Sequence, residues 1–291
     1  MSSEIVIKFL VAAVLAGTPF LFGTVGEILS EKVGHLNLGV EGMMSIGACA
    51  GFMVGYQTDN FVAALLAQNV TGLTLTIFGV GLANFIGVFM LEKSENGTLK
   101  LPDAVTAQMR NIHIPGLSDL PVVGELLFSY NPFVYLGIII AIVASFYLYK
   151  TQVGLNPGAA DAAGIEVTKW RYINILLSGA ICGIGGAYCS MIINGGVWLR
   201  DSVGGLGWIS VALVIFAAWK PINVIYGSFI FGALRVLKYY VPKNTYAIPT
   251  AFFDALPFII TALVLVIASM RKNKGGHIPA HLGENYFREE R

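Results

Sequence analysis

Apolar residues gather in long blocks along this chain, and most charged residues fall between the blocks. A helix needs about 20 mostly apolar residues to cross the hydrocarbon core of a bilayer, so each block predicts a membrane helix. The blocks run from Ile5 to Phe22, Leu36 to Tyr56, Thr71 to Leu91, Pro132 to Tyr149, Tyr172 to Ile193, Trp208 to Trp219, Ile222 to Leu237 and Pro249 to Met270. The predicted fold is all-α, a polytopic membrane helical bundle of about eight spans. The block at Trp208 is too short to span alone and predicts a broken or re-entrant element supported by its neighbours. Small residues recur every fourth position within the blocks: Gly47, Gly51 and Gly55; Gly79, Ala83 and Gly87; Gly179 and Gly183. That spacing puts small side chains on one helical face and lets backbones approach closely in lipid.

Composition agrees with the pattern. Of 291 residues, 56% are hydrophobic and 12% charged, against about 25% charged in soluble domains, which excludes an ordinary water-soluble protein. The formal net charge of +1 provides no basic field for nucleic acid. Residues 1–291 are expected to form a single membrane domain, with 271–291 as a cytoplasmic tail. The three cysteines, Cys49, Cys182 and Cys189, lie in apolar stretches and are expected as small buried side chains. Met1-Ser-Ser-Glu lacks the positive region of a cleavable signal, so the first block is expected to be a retained anchor. Lys150, Lys169, Arg171, Lys220 and the basic residues of the tail would face one side, with the 150–171 loop in the cytoplasm. Lys32, Lys93, Lys100, Arg110, Arg200, Arg235, Lys238 and Lys243 would face the other.

No catalytic pattern survives inspection. A G-x-x-x-x-G-K-[ST] phosphate loop is absent, so the chain should not hydrolyse ATP by itself. Gly183-Ile-Gly185-Gly186-Ala-Tyr188 begins like a dinucleotide fingerprint but lacks the final glycine and a preceding strand, which favours helix packing. His277 and His281 are separated by Ile278-Pro279-Ala280, which breaks the helix and offers no glutamate for a metal site.

The most informative polar stretch is Gly34-His35-Leu36-Asn37-Leu38-Gly39-Val40-Glu41-Gly42-Met43-Met44. A carboxylate inside an apolar span costs a few kcal/mol unless it faces the bundle interior, a watery cavity or a partner. Glu41 is therefore a candidate functional residue, and Asn37, one turn away, would share its face. Two roles stay open: lining a pathway, or pinning a neighbouring helix through its backbone amides. A second stretch, from Asn156 to Gly164, carries a helix N-cap at Asn156, proline at the first helical position, an alanine-rich run and a glycine suited to a left-handed stop. It predicts a helix of about two turns between two spans, a shape that fits a partner's groove.

At these stretches the sequence resembles the permease subunits of bacterial ABC importers of the branched-chain amino acid, ribose and nucleoside superfamily, and within it the nucleoside and simple-sugar uptake permeases. The resemblance is carried by Leu36-Asn37-Leu38-Gly39-Val40-Glu41-Gly42-Met43-Met44, Gln68-Asn69-Val70-Thr71-Gly72-Leu73, Asn156-Pro157-Gly158-Ala159-Ala160-Asp161-Ala162-Ala163-Gly164-Ile165 and Gly207-Trp208-Ile209-Ser210-Val211-Ala212-Leu213-Val214. It is carried also by the ending Pro279-Ala280-His281-Leu282-Gly283 through Tyr286-Phe287-Arg288-Glu289. The resemblance implies a non-catalytic, pore-forming subunit in the bacterial cytoplasmic membrane. A second permease would complete a heterodimer, a cytoplasmic ATPase would bind ATP and Mg and supply energy, and an extracytoplasmic lipoprotein would deliver solute. No cofactor is expected in this chain.

The resemblance further implies a translocation pathway at Asn37, Glu41, Gln68 and Asn69. A coupling helix would meet the ATPase through Asn156, Pro157, Ala159, Ala160, Asp161 and Gly164. The segments Lys93 to Glu125 and Asn194 to Gly207 would meet the binding protein. Two departures stand out: only Ser45 to Ala67 intervene where family members usually carry another crossing, and an Arg-Ala-x-Gly-Glu stretch is missing before Asn156. The rival functions are an ion-coupled secondary transporter, which also needs broken helices, and an integral membrane enzyme using Glu41, which lacks a second convergent catalytic group.

Overall fold

The computed structural model describes residues 3–35, 37–58, 76–94, 97–151, 164, 166–241, 249–270, 279 and 282. Among them all regular structure is helical, apart from one antiparallel bridge between Lys100 and Val197. The helices are α1 (Ser3–Lys32), α2 (Val40–Thr58), α3 (Thr76–Glu92), the short α4 (Asp103–Gln108) and α5 (Val123–Leu127), and α6 (Pro132–Lys150). They are followed by α7 (Val167–Tyr188), which continues as a π turn over Cys189–Ile193, then α8 (Leu206–Phe216), α9 (Pro221–Tyr240) and α10 (Thr250–Met270). Among the described residues three helical stretches are long and apolar enough to cross a membrane: Ser3–Lys32, Pro132–Lys150 and Val167–Ile193.

Helix α1 forms the middle of the bundle, packed by α9, α7, α8 and α6. Every residue from Ala16 to Glu31 is buried. The sequence pattern placed the end of this helix near Phe22, but it runs on to Lys32. The reason is that Thr24, Glu27, Ser30 and Glu31 are buried against partners, so their polarity does not signal the membrane surface.

Small residues set the spacing of the bundle. Gly47 meets the backbone of Gly183, Gly186 meets the carbonyl of Met44, and Gly17 and Gly232 close the α1–α9 contact. At each point a methyl group would overlap the neighbouring helix, so close backbone approach depends on glycine. Hydrogen bonds add direction: Thr24 Oγ1 donates to Ser210 O at 3.0 Å, Ser190 Oγ to Ala48 O at 2.9 Å and Tyr188 Oη to Leu15 O at 3.0 Å. Interhelical bonds of this kind contribute about 0.6–2 kcal/mol each. All three cysteines are buried and free.

Helices α2 and α3 run parallel. Gly79 packs 2.7 Å from the carbonyl of Gly42 (measured from an added Cβ), while Trp198 covers both Phe52 and Gly87 about two to three turns further along. Near Trp198 the loops after α3 and α7 are tied together, with Trp198 N donating to Leu99 O at 2.9 Å and Leu101 N to Gly196 O at 2.8 Å.

The ends of the helices correct one expectation about sidedness. Lys32 lies 5.1 Å from the ring centroid of Tyr149, and Arg171 Nε donates to Val33 O at 2.9 Å. Lys32 therefore belongs to the same end of the bundle as Lys150, Arg171 and Lys220, not to the opposite one. The physical cause is the length of α1: ending at Lys32, it carries this lysine about 15 Å beyond Phe22. Lys8 and Lys238 mark the other end, where Tyr240 Oη donates to Lys8 O at 3.1 Å.

Candidate functional site

The short helix α8 begins inside the bundle. Thr24, which bonds Ser210, lies about 12 Å along α1 from Lys32 at 1.5 Å per residue, and α8 starts one turn beyond Ser210. That places its N-terminal end near the middle of a hydrocarbon core of about 30 Å. Gly205, at φ +86°, turns the chain into α8, a conformation that suits a residue without a Cβ.

Glu41 closes this helix end. Its Oε1 accepts from Gly205 N at 2.8 Å and its Oε2 from Gly207 N at 2.7 Å. Glu41 itself stands in the first turn of α2, so two helix N-termini converge on one carboxylate. Each brings unsatisfied amides and a partial positive charge, which explains how a buried acid is tolerated in an apolar bundle. Of the two roles left open by the sequence, the pinning role is present in these bonds. The same residue also borders an open cavity of about 560 Å³, lined in addition by Val80, Gly81, Asp201, Gly204, Gly205 and Trp208.

Asn37 occupies a different place. It is buried, and its Nδ2 and backbone N donate to the two carboxylate oxygens of Glu27 at 2.9 and 3.3 Å. Its Oδ1 accepts from Gly39 N at 2.9 Å, which bends the chain into α2. Asn37 thus orients the α1–α2 turn and does not border the cavity. Gln68, Asn69, Asn156, Pro157, Ala159, Ala160 and Asp161 lie outside the described residues. Gly164 is described, is exposed, and has φ +79°, the left-handed conformation expected of a helix stop.

Several polar residues escaped the sequence reading. Glu27 and Glu31 are one turn apart on α1 and buried, and Glu31 accepts from Trp219 Nε1. A pair of acids at that spacing in an otherwise apolar stretch was the available signal. Asp201, which also lines the cavity, stands in a left-handed conformation, φ +51°. Asn84 of α3 holds it twice, with Nδ2 donating to Asp201 Oδ1 at 2.7 Å and Oδ1 accepting from Asp201 N at 3.1 Å. These residues are 117 positions apart, so no local pattern joins them. Among the described residues no group of three or more His, Cys, Asp or Glu could hold a metal ion.

Comparison with known proteins extends these observations. A putative glucose ABC transporter permease protein of Haloferax volcanii is 34% identical over 256 residues, covering 78% of this chain and 75% of that protein. A nucleoside ABC transporter permease protein of Lactococcus lactis is 30% identical over 286 residues, covering 86% and 88%. A guanosine ABC transporter permease protein of Bacillus subtilis is 29% identical over 294 residues, covering 87% and 89%. No solved structure matches the chain. The family described as the permease component of branched-chain amino acid transport systems matches residues 9–267, and with apolar helices of spanning length and relatives that are ABC permeases along most of its length, the chain belongs to that family as a membrane permease component.

Proposed function

We propose that the chain is the pore-forming permease subunit of an ABC importer for nucleosides. The observation that carries the proposal is the half-helix α8, whose N-terminal end meets Glu41 at the inner edge of an open cavity in an apolar bundle. Interrupted helices of this kind supply polar groups to a solute where an intact span offers none. Support for the solute comes from the relatives named for nucleosides and guanosine, while the glucose-named relative favours simple sugars as the second reading.

The protein forms one domain of about eight spans in a bacterial cytoplasmic membrane. Its end bearing Lys32, Lys150, Arg171 and Lys220 faces the cytoplasm, by the rule that basic loops stay inside. A cytoplasmic ATPase binds ATP and Mg, a second permease completes the pathway, and a binding lipoprotein feeds it. Gln68 and Asn69 join Glu41 in the pathway, with Asn37 shaping the turn behind it. The segment from Asn156 to Gly164 is the coupling helix, and the left-handed Gly164 supports its stop. ATP binding then biases one of two packed arrangements of the bundle through this lever.

Uptake of labelled nucleoside and labelled glucose by cells carrying the complete transporter tests the proposal. Nucleoside accumulation is expected, with loss in a Gly164→Val variant, since a β-branched residue is strained at that φ. Accumulation that persists without the partner ATPase sinks the ABC mechanism in favour of an ion-coupled carrier. Unchanged uptake by Gly164→Val sinks the coupling role.

A further inference from the structure

The glycines of α3 differ in what they touch. Gly79 meets the backbone of Gly42 and Gly87 meets the indole of Trp198, so packing accounts for both. Gly81 meets nothing: a Cβ built there has no atom within 4 Å. A glycine inside a helix is less favourable than alanine by about 1 kcal/mol, and helix packing gives no reason for this one. Its bare backbone forms one wall of the cavity beside Glu41.

Trp208 and Asp201 line the same cavity. Trp208, in the first turn of α8, leaves 46% of its surface uncovered although it is a large apolar ring. Asp201 is exposed and is held in a left-handed conformation by the two-point contact with Asn84. Backbone strain of this kind persists only where surrounding groups enforce it, and it gathers at ligand sites. One oxygen of Asp201 is taken by Asn84, and Oδ2 remains available as an acceptor. The cavity therefore combines an aromatic face, a fixed hydrogen-bond acceptor and an open glycine wall, within the volume range of small-molecule sites, roughly 300–1,000 Å³.

We propose that this cavity is a solute subsite for an uncharged, hydroxylated molecule with one flat apolar face, the indole of Trp208 stacking on that face and the carboxylate of Asp201 accepting from vicinal hydroxyls. The proposal rests on the chain's role as a permease for nucleosides or simple sugars, and it assigns the residues that touch them. Stacking is tolerant of which base or ring is presented, whereas a fixed carboxylate selects for hydroxyl donors. The exposed carboxylate of Asp201 places a negative charge on the cavity wall, so phosphorylated forms of the same solutes are disfavoured.

The test uses the complete transporter, with both permeases, ATPase and binding lipoprotein, reconstituted in proteoliposomes and assayed with labelled adenosine and labelled glucose. Trp208→Ala and Asp201→Ala are expected to lower the maximal uptake rate about tenfold or more. Half-saturation should stay constant because the binding lipoprotein sets it. Trp208→Phe should recover most of the rate, since a ring remains to stack. Direct occupancy is read with Gly81→Cys, labelled by a small maleimide against a background of three buried native cysteines. Millimolar adenosine or glucose should slow labelling several-fold, and adenosine monophosphate should not. Wild-type uptake rates in every variant, or labelling indifferent to solute, overturn the subsite while leaving the permease role intact. A wild-type transporter that accumulates neither adenosine nor glucose overturns the solute class and this proposal with it.

Discussion

Gly207 and Glu41 are joined at two levels. The amide of Gly207 donates to Glu41 Oε2 at 2.7 Å, and a Cβ on Gly207 would stand 2.5 Å from the Glu41 backbone nitrogen. The pair of amides at Gly205 and Gly207 requires an acceptor on each side-chain oxygen, and the close approach requires glycine. Together they lock the start of α2 against the start of α8.

Glu41→Gln keeps the shape but turns one acceptor into a donor aimed at an amide. One buried N–H then loses its partner, at about 1–3 kcal/mol. The variant should unfold at lower temperature in detergent. Gly207→Ala should cost at least as much, because its methyl overlaps the Glu41 backbone and overpacking of this type costs ~1–3 kcal/mol or more. A Glu41→Gln protein as thermostable as wild type would refute the capping role.

Gly186 and Gly81 make a matched pair of tests. The methyl of Gly186→Ala would fall on the carbonyl of Met44, where backbone cannot yield, so misassembly or a loss of several kcal/mol is expected. The methyl of Gly81→Ala meets no atom and gains helix propensity, up to about 1 kcal/mol. The thermal unfolding midpoint of purified protein should therefore fall for the first and rise for the second. A midpoint for Gly186→Ala at or above that of Gly81→Ala would contradict the packing.

At the other end of α8 the chain turns through Ala218 and Trp219, at φ +52° and +55°. Trp219 is pinned there, its Nε1 bonded to Glu31 and its carbonyl accepting from Tyr149 Oη at 3.0 Å. Trp219→Phe leaves the buried Glu31 without that donor and should destabilise by about 1–3 kcal/mol. Ala218→Gly relieves left-handed strain of roughly 1–2 kcal/mol, partly offset by the added freedom of the unfolded chain. A small rise in stability is the expected result, and a fall would show that the turn is not strained.

How much of this was legible in the sequence depended on the range of the interaction. The block at Pro132 gave a helix within one residue of its observed bounds, and the block at Tyr172 its end but not its start at Val167, because continuous apolarity is a local signal. The short block at Trp208 was recognisably a broken element for the same reason. The end of α1 was misplaced: Glu27 and Glu31 look like a surface when read along the chain, and only Asn37 and Trp219, the latter 188 positions from Glu31, reveal them as buried. Glu41 could be singled out as a buried acid, but Gly205 and Gly207 as its partners could not. Asp201, Asn84 and Gly81 carried no local mark, since a glycine that packs and a glycine that leaves space look alike in one sequence.

His35 gives the last prediction. It lies in the loop between α1 and α2, outside the membrane helices, with its backbone tied to Ser30 through bonds of 3.1 and 3.2 Å. Although His35 is exposed, the protein around it and then the nearby Arg171 guanidinium lower its pKa from the ordinary value of 6.5. The folded state therefore resists protonation that the unfolded chain accepts. Below pH ~6.5 the unfolded chain binds more protons, so stability falls as pH is lowered toward the depressed folded value and levels off beneath it. His35→Gln removes the titrating group and leaves the Ser30 contacts, which involve backbone atoms of residue 35. Unfolding midpoints measured from pH 7.5 down to about 5 should fall less steeply in the variant than in wild type. Parallel curves would show that His35 titrates alike in both states, and that Arg171 exerts no effective field on it.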